Sequence, residues 1–558
     1  MLLPALAKFK FVPLLRLLWL CVLGVSILFY AWKTYQKTLK TSEYPAGSDA
    51  FGYLIMSKEV RRAAHDRRLP QFVIESTQAR SLINFMKLQN VPVENWREIV
   101  APLGARYFPK ADHVGVQYPP GTGLMLALFP EKRSLHGLNR IVLLCFVITG
   151  GLALVFVGIK HAWISAGFVA LAIDLGLDML GAIRNTSFSI NAMLPLLLLA
   201  LVFLFISSVL TAAEKPRLAW GASLCSGLLL GFAILIRVPV VLLIPGCLVL
   251  IWPRRRLPRL KDDVIAFALG VFCTGIVPLL LHQHHVTGSW YLPTYGGGDT
   301  SYPSLDVNLL KSNLNFYFGN ERGGEHAVGL YILLAGLVGL IILRRALSAR
   351  YRLRLKRIVL ATVTLWIVPT AYFVTHVIFT SYYLIPSTFG AALFIGVAAC
   401  TTEIQSSDAS DARPRRHWLR WCCLALALLP ALVALERAWS SRSVPDAAAE
   451  EIYTDLVLPA ELADQRAWVW SEALSGTLFY YYGKPGYKSA WTDPATRALA
   501  YRFVFDRGEP QYIIQDSSKG AELFEEIAKL GGILEKHGVL DGYPYYLIRW
   551  PQAGPAKI

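Results

Sequence analysis

Eleven apolar runs, most of them near the length of a bilayer crossing, set the first limit on what this chain can fold into. They fall at roughly 12–32, 138–159, 162–183, 191–212, 217–236, 238–252, 263–282, 328–343, 358–378, 382–400 and 419–436. A helix needs about 20 apolar residues to cross the hydrocarbon, so these runs predict a polytopic α-helical membrane protein with about 11 transmembrane helices. The run at 238–252 is short, which leaves the count good to about one. The first run, Val12 to Trp32, is followed by no small-x-small cleavage site and by many further spans, so it reads as a retained helix rather than a signal peptide.

Composition agrees. Hydrophobic residues make up 54% of the 558 and charged residues 17%, against about a quarter in soluble chains. The formal charge of +17 raises the question of nucleic acid. Its placement answers otherwise, because no basic surface with interleaved aromatics emerges. Lys8 and Lys10, Lys160, Lys215 and Arg217, Arg254 to Lys261, Arg344 to Arg357 and Arg413 to Arg420 occupy short loops on one side if the runs alternate. That side is predicted to be the cytoplasm, with the N-terminus inside and the C-terminus outside.

Three long polar segments, 33–137, 283–327 and 437–558, then lie on the outer face, while the inner loops are short. Long loops in compact proteins are usually functional, so the work is expected at that face. The division expected is a membrane domain over 1–436 and an extracytoplasmic α/β domain over 437–558. In the latter, "RAWVWSEA", "PQYIIQDSS" and "YPYYLIRW" read as strands. "PATRALAYRFVFDRG" and "KGAELFEEIAKLGG" read as helices, with Gly508-Glu509-Pro510 and Gly531-Gly532 as breaks. The eight cysteines all lie in apolar runs and form no disulfide framework or CxxC metal pattern.

The first outer segment opens with "YPAGSDAFGYL". Asp49 admits two readings, a helix N-cap shared with Ser48 or a carboxylate placed for chemistry. The stretch after it, "DAFGYLIMSKEVRRAAHDRRL", alternates apolar Phe51, Leu54, Ile55 and Val60 with Lys58, Arg61, Arg62, Arg67 and Arg68. It suits either a helix in the headgroup plane or one packed on the membrane domain with a solvated basic face. Farther on, "GVQYPPGTGLMLALF" carries Tyr118 in a Tyr-Pro-Pro-Gly turn before an apolar run too short to span, which predicts a re-entrant or interfacial helix.

At this point the chain resembles the GT-C membrane glycosyltransferases, most closely bacterial relatives of protein mannosyltransferases and aminoarabinose transferases. The resemblance rests on "GSDAFGYL", "YPPG", "GLLLGFAILIRVPVVLLIP" at 227–245, "HVTGSWYLPTYG" at 285–296 and "SYYLIPSTFGAAL" at 381–393, in that order. The tail, with "SEALSGTLFYYYGKPGY", is similar to the C-terminal domains of some bacterial members. The resemblance implies transfer of a sugar from a polyprenyl-phosphate carrier to an acceptor hydroxyl at the outer face, with inversion. The family's first-loop acid is its general base, and Asp49 matches that position; a positioned carboxylate takes the proton as the acceptor oxygen attacks. No cofactor beyond the lipid-linked donor is implied, and a divalent cation is left open.

A phosphate leaving group needs a cation near the headgroups. Arg237, at the outer end of its span before Val238-Pro239, is the first candidate, with a snorkelling anchor as the alternative. Arg184 sits at another outer helix end. Where relatives have Arg in an "RYLLP" segment this chain has Tyr382, which moves that job elsewhere; His376 would substitute if protonated. Asp178, four residues from Asp174 on one helical face, is a second candidate acid, as is Asp112 beside His113. Asp299 lies in a glycine-rich outer loop, and no metal-ligand cluster or DxD falls on the working face. The alternatives in other classes are a polyprenyl-lipid transporter, which Asp174 and Asp178 would suit, and a non-catalytic membrane-anchored binding protein.

Overall fold

A computed structural model describes residues 11–39, 48–159, 188–212, 215–251, 260–294, 303–318, 349–376, 384, 457–516, 520–540 and 542–555. The protein is an integral membrane protein, and six of its described helices are long and apolar enough to cross a bilayer. They belong to α1 (Phe11–Leu39), α5 (Ser134–Ile159), α6 (Phe188–Ala212), α7 (Pro216–Ile236), the continuous helical stretch through α9 (Leu260–Val271) and α10 (Val277–Thr287), and α12 (Ala349–Val374). The expected runs at 162–183, 328–343, 382–400 and 419–436 lie outside the described residues.

The short run after α7 is helical but not continuous with it. Arg237 is extended, at φ −146° and ψ 103°. A 3₁₀ segment over Val238–Leu243 follows and leads into α8 (Ile244–Ile251). Pro239 sits in the first turn of that segment, where a missing N–H costs no helical hydrogen bond, so the new helix starts directly after Arg237. Between α9 and α10 the helix widens into one π turn, Phe272–Ile276.

Of the first long polar segment, α2 (Ser48–His65) packs inward. Ala50, Phe51, Tyr53, Leu54, Ile55 and Met56 are all buried. This decides between the two sequence readings of that stretch. Lys58, Arg62 and Arg67 are exposed, while Arg61 donates to the Leu126 and Phe129 carbonyls at 3.2 and 3.0 Å and Arg68 pairs with Glu59 at 2.6 Å. Next come α3 (Thr77–Leu88), capped by the Ser76 hydroxyl on the Ala79 N–H, and an antiparallel hairpin of β1 (Ala105–Phe108) and β2 (His113–Val116). The short α4 (Gly121–Ala127) closes the segment. In the later polar segment, α11 (Val307–Phe318) is described.

The C-terminal region builds a five-stranded sheet in the order β4-β3-β5-β7-β6. The chain runs β3 (Trp468–Trp470), α13 (Ser475–Tyr482), β4 (Gly486–Tyr487), α14 (Pro494–Asp506), β5 (Gln511–Ile514), α15 (Gly520–Lys529), β6 (Ile533–Leu540) and β7 (Tyr543–Arg549). β4, β3 and β5 are parallel; β7 and β6 add an antiparallel edge. The three expected strands and two expected helices are present, joined by β4, β6 and α13.

Alternation along β3 sends Trp468 and Trp470 to one face and Val469 to the other, and both faces are buried, as parallel strands require. The Trp face does not close on the C-terminal helices alone. Leu82, Ile83 and Met86 of α3, Trp96, Ile99, Val100 and Tyr107 share one hydrophobic core with Trp468, Trp470, Tyr487, Tyr501, Ile513 and Ile548. Lys488, itself buried, bonds Glu98 at 2.7 Å and the Ala105 carbonyl at 3.2 Å. The middle of the first polar segment, from α3 through β2, therefore shares a core with the sheet, while α2 and α4 pack into the core of the apolar helices.

Candidate active site

The "YPPG" stretch is the keystone of the site, because α4 is wedged between the helix that carries Asp49 and the helix end that carries Arg237. Pro120 stands at its N-cap and Leu124 N–H reaches the Pro120 carbonyl at 2.9 Å, so the proline pair starts the helix without a side-chain cap. On one side, a Cβ on Gly52 of α2 would lie 2.3 Å from the Tyr118 ring, and one on Gly123 would lie 2.5 Å from Met56. On the other, a Cβ on Gly121 would lie 2.6 Å from the Ile236 nitrogen, in the last turn of α7. Only a missing side chain permits these approaches.

Tyr118 is buried, with its ring centroid 5.1 Å from that of Tyr53 and its hydroxyl accepting from the Gln117 amide at 2.8 Å. Its backbone carbonyl lies 3.0 Å from His282 Nε2 on α10. A carbonyl only accepts, so Nε2 is the protonated ring nitrogen. The turn is thus gripped from α2, α10 and the end of α7 together.

Asp49 occupies the first turn of α2, where the helix N-terminus favours a carboxylate; its side chain lies outside the described ones. Arg237 is half-buried at the end of α7 and donates to the Ser189 hydroxyl of α6 at 3.2 Å. Through α4, the Asp49 turn, Tyr118 and Arg237 are brought to one locality. Ser189, Tyr53 and His282 join them without any signal in local spacing, since each comes from a different element.

The other candidates sit elsewhere. Asp112 closes the β1–β2 hairpin in a left-handed conformation, φ 54°. Its carboxylate accepts from Lys87 at 2.6 Å, Tyr107 at 2.7 Å and Arg80 at 3.0 Å. The Lys87 and Tyr107 hydrogen bonds hold it at a pKa of about 2, so it is an ionised hub tying the hairpin to α3. His376 is buried just past α12, stacked on Tyr372 with Nδ1 2.6 Å from the Tyr372 carbonyl; its own carbonyl accepts from Asn313 of α11. Arg184, Asp174, Asp178, Asp299 and Tyr382 lie outside the described residues. Among the described residues no group of three His, Cys, Asp or Glu side chains is arranged to hold a metal ion.

The chain shares its fold with ArnT, an aminoarabinose transferase, from Cupriavidus metallidurans. The crystal structure of that protein in the apo state matches with a TM-score of 0.50 at 12% identity, over 94% of this chain and 97% of the other. The crystal structure of the same protein bound to undecaprenyl phosphate matches with a TM-score of 0.42 at 14% identity, over 94% and 98%. No family model matches the chain. No curated protein matches it either. At such identity the likeness establishes the fold alone, that of the apo ArnT structure.

Proposed function

We propose that the protein transfers a sugar from a polyprenyl-phosphate-linked donor to an acceptor hydroxyl at the outer face of a bacterial inner membrane, with inversion at the anomeric carbon. One observation carries the reading: the Tyr118 turn packs on Gly52 and α4 on Met56 of α2, the helix that carries Asp49, while Gly121 of the same short helix meets Ile236, the neighbour of Arg237. The shared GT-C fold supports the class of reaction.

In this reading Asp49 takes the proton of the acceptor hydroxyl as its oxygen attacks the anomeric carbon. The carbon–oxygen bond to the carrier breaks on the opposite side, and the bond electrons leave with the phosphate. Arg237 stabilises the charge that gathers there, a task that needs a fixed cation rather than a mobile one. Its bond to Ser189 keeps the guanidinium directed. Tyr118 holds the proline turn against Gly52 of the helix that carries Asp49. The N-terminus is cytoplasmic and the C-terminal sheet periplasmic.

The test is transfer by the purified protein in liposomes, with radiolabelled polyprenyl-phosphate-linked pentoses and hexoses as donors and a cell-envelope extract as acceptor. Wild-type protein is expected to yield labelled product and Asp49→Asn none above background. Full transfer by Asp49→Asn removes the base assignment. Movement of intact donor between leaflets with no product would make the protein a transporter instead.

A further inference from the structure

The parallel strands β3 and β5 end side by side, and their carboxyl ends carry buried acids. Asp516, just past β5, is 6% exposed. Its carboxylate accepts from the Ser471 hydroxyl at 2.5 Å, the Glu472 N–H at 3.0 Å and the Leu474 N–H at 2.7 Å. Those three donors make up the loop from β3 into α13, and Leu474 is the residue that caps that helix. One carboxylate therefore fixes the start of α13 in position and direction.

α13 in turn bears on α2. Leu103 N–H donates to the Ser475 hydroxyl at 3.0 Å, and Lys58 Nζ lies 3.4 Å from the Tyr480 carbonyl. Gly476 lies so close to Phe51 that a Cβ there would stand 2.6 Å from the ring. Phe51 is 2% exposed and sits two residues after Asp49 on α2. The chain of contacts runs unbroken from Asp516 to the turn that carries the acid.

We propose that Asp516 is a positioning residue for the transfer site: it sets the Ser471–Leu474 loop, the loop sets α13, and α13 seats the first turns of α2 through the Gly476–Phe51 contact. This rests on the reading of Asp49 as the base. It gives the C-terminal sheet a task in the reaction itself, since a base misplaced by about 1 Å loses much of its effect.

The experiment compares Asp516→Asn, Gly476→Ala and the double variant in the liposome transfer assay, using whichever labelled donor the wild-type protein accepts. Asn offers one acceptor oxygen where three donors converge; Ala at 476 pushes on Phe51 directly. Each single variant is expected to lower kcat about tenfold with donor KM within about twofold. The double variant is expected to lose no more than the worse single, because both act through one contact. Gly476→Ala leaves the Asp516 hydrogen bonds intact, so it keeps the test open if Asp516→Asn does not fold. Unchanged kcat in Gly476→Ala, or losses that multiply in the double variant, overturns the positioning role. Asp49→Asn separates the two readings: if it is inactive while Asp516→Asn and Gly476→Ala are fully active, only the positioning role falls.

Discussion

Gly52 and Tyr118 are in direct contact across the α2–α4 interface, with room for a hydrogen on Gly52 and nothing larger. The relationship joins the two sequence stretches that most suggested function, "SDAFGYL" and "YPPG". It also explains why a helix with a buried face tolerates glycine, which costs about 1 kcal/mol against alanine in a helix interior. The contact brings the Asp49 turn against the proline turn.

Gly52→Ala therefore forces the Tyr118 ring to move or α2 to shift. Small-to-large changes in packed interiors cost about 1–3 kcal/mol, and transfer is expected to fall more steeply than stability because the shift occurs one turn from Asp49. Thermal unfolding and transfer rate are measured together. The losses of Gly52→Ala and Tyr118→Ala are expected to be less than additive in the double variant, because removing the ring removes the clash. Additive losses would mean that the two residues do not compete for space.

Arg237 is expected to act on charge that develops during the reaction. Arg237→Ala should lower kcat about 100-fold, the loss seen when a preorganised donor to a developing anion is removed. Arg237→Lys keeps a charge but not the planar fork, so it should recover only part of the rate. Steady-state kinetics in liposomes distinguish this from anchoring. An anchoring arginine would leave kcat intact in both variants.

The Lys488–Glu98 pair joins the C-terminal sheet to the first polar segment in a largely buried setting. Burial works against the Glu98 charge, and Lys488 beside it nevertheless holds the carboxyl below its usual range. Lys488→Met removes the closer of the acid's two neighbouring cations, with Arg97 left at 3.9 Å, at a cost toward the low end of about 3–5 kcal/mol. The depressed pKa means that the stabilisation is present above the ordinary value of 4.5 and is lost as pH falls through the folded value. Thermal unfolding at neutral pH should show the Lys488→Met loss, and Glu98→Gln in that background should return part of it. No loss in Lys488→Met would show that the sheet is not held through this pair.

The six described apolar spans were legible because 20-residue apolar runs have few other structures open to them. The break at Arg237 was legible too, since Val238-Pro239 follows it. The packing of α2 was ambiguous because Arg61 finds its acceptors at Leu126 and Phe129, more than 60 residues on. β4 escaped notice at two residues, and β6 because its side chains are mostly exposed or half-buried and its sequence, "ILEKHGVL", is broken by Gly538 at a register shift. The core shared by Trp96 and Trp470 joins segments about two thirds of the chain apart. No local periodicity encodes such a contact.

Glu472 lies two residues past β3, and its protonation should govern the stability of the C-terminal sheet near neutral pH. Burial pushes its carboxyl up to about 7, with Asp516 adding to the effect and Lys488 and Arg497 opposing it. Those two cations are themselves paired, with Glu98 and Glu526. Glu472 Oε1 accepts from the Ala490 N–H at 2.5 Å, while Oε2 has no hydrogen-bond partner among the described residues. The folded state then keeps a proton that the unfolded chain releases above its ordinary 4.5. Stability contributed by this group falls as pH rises from about 4.5 to about 7, because the unfolded state binds fewer protons across that window. Glu472→Gln cannot ionise, so its stability relative to wild type should rise over the same interval and level off above it. Unfolding followed by tryptophan fluorescence, through Trp468 and Trp470, between pH 5 and pH 8 measures the difference. A difference that stays constant with pH would show that Glu472 does not titrate there.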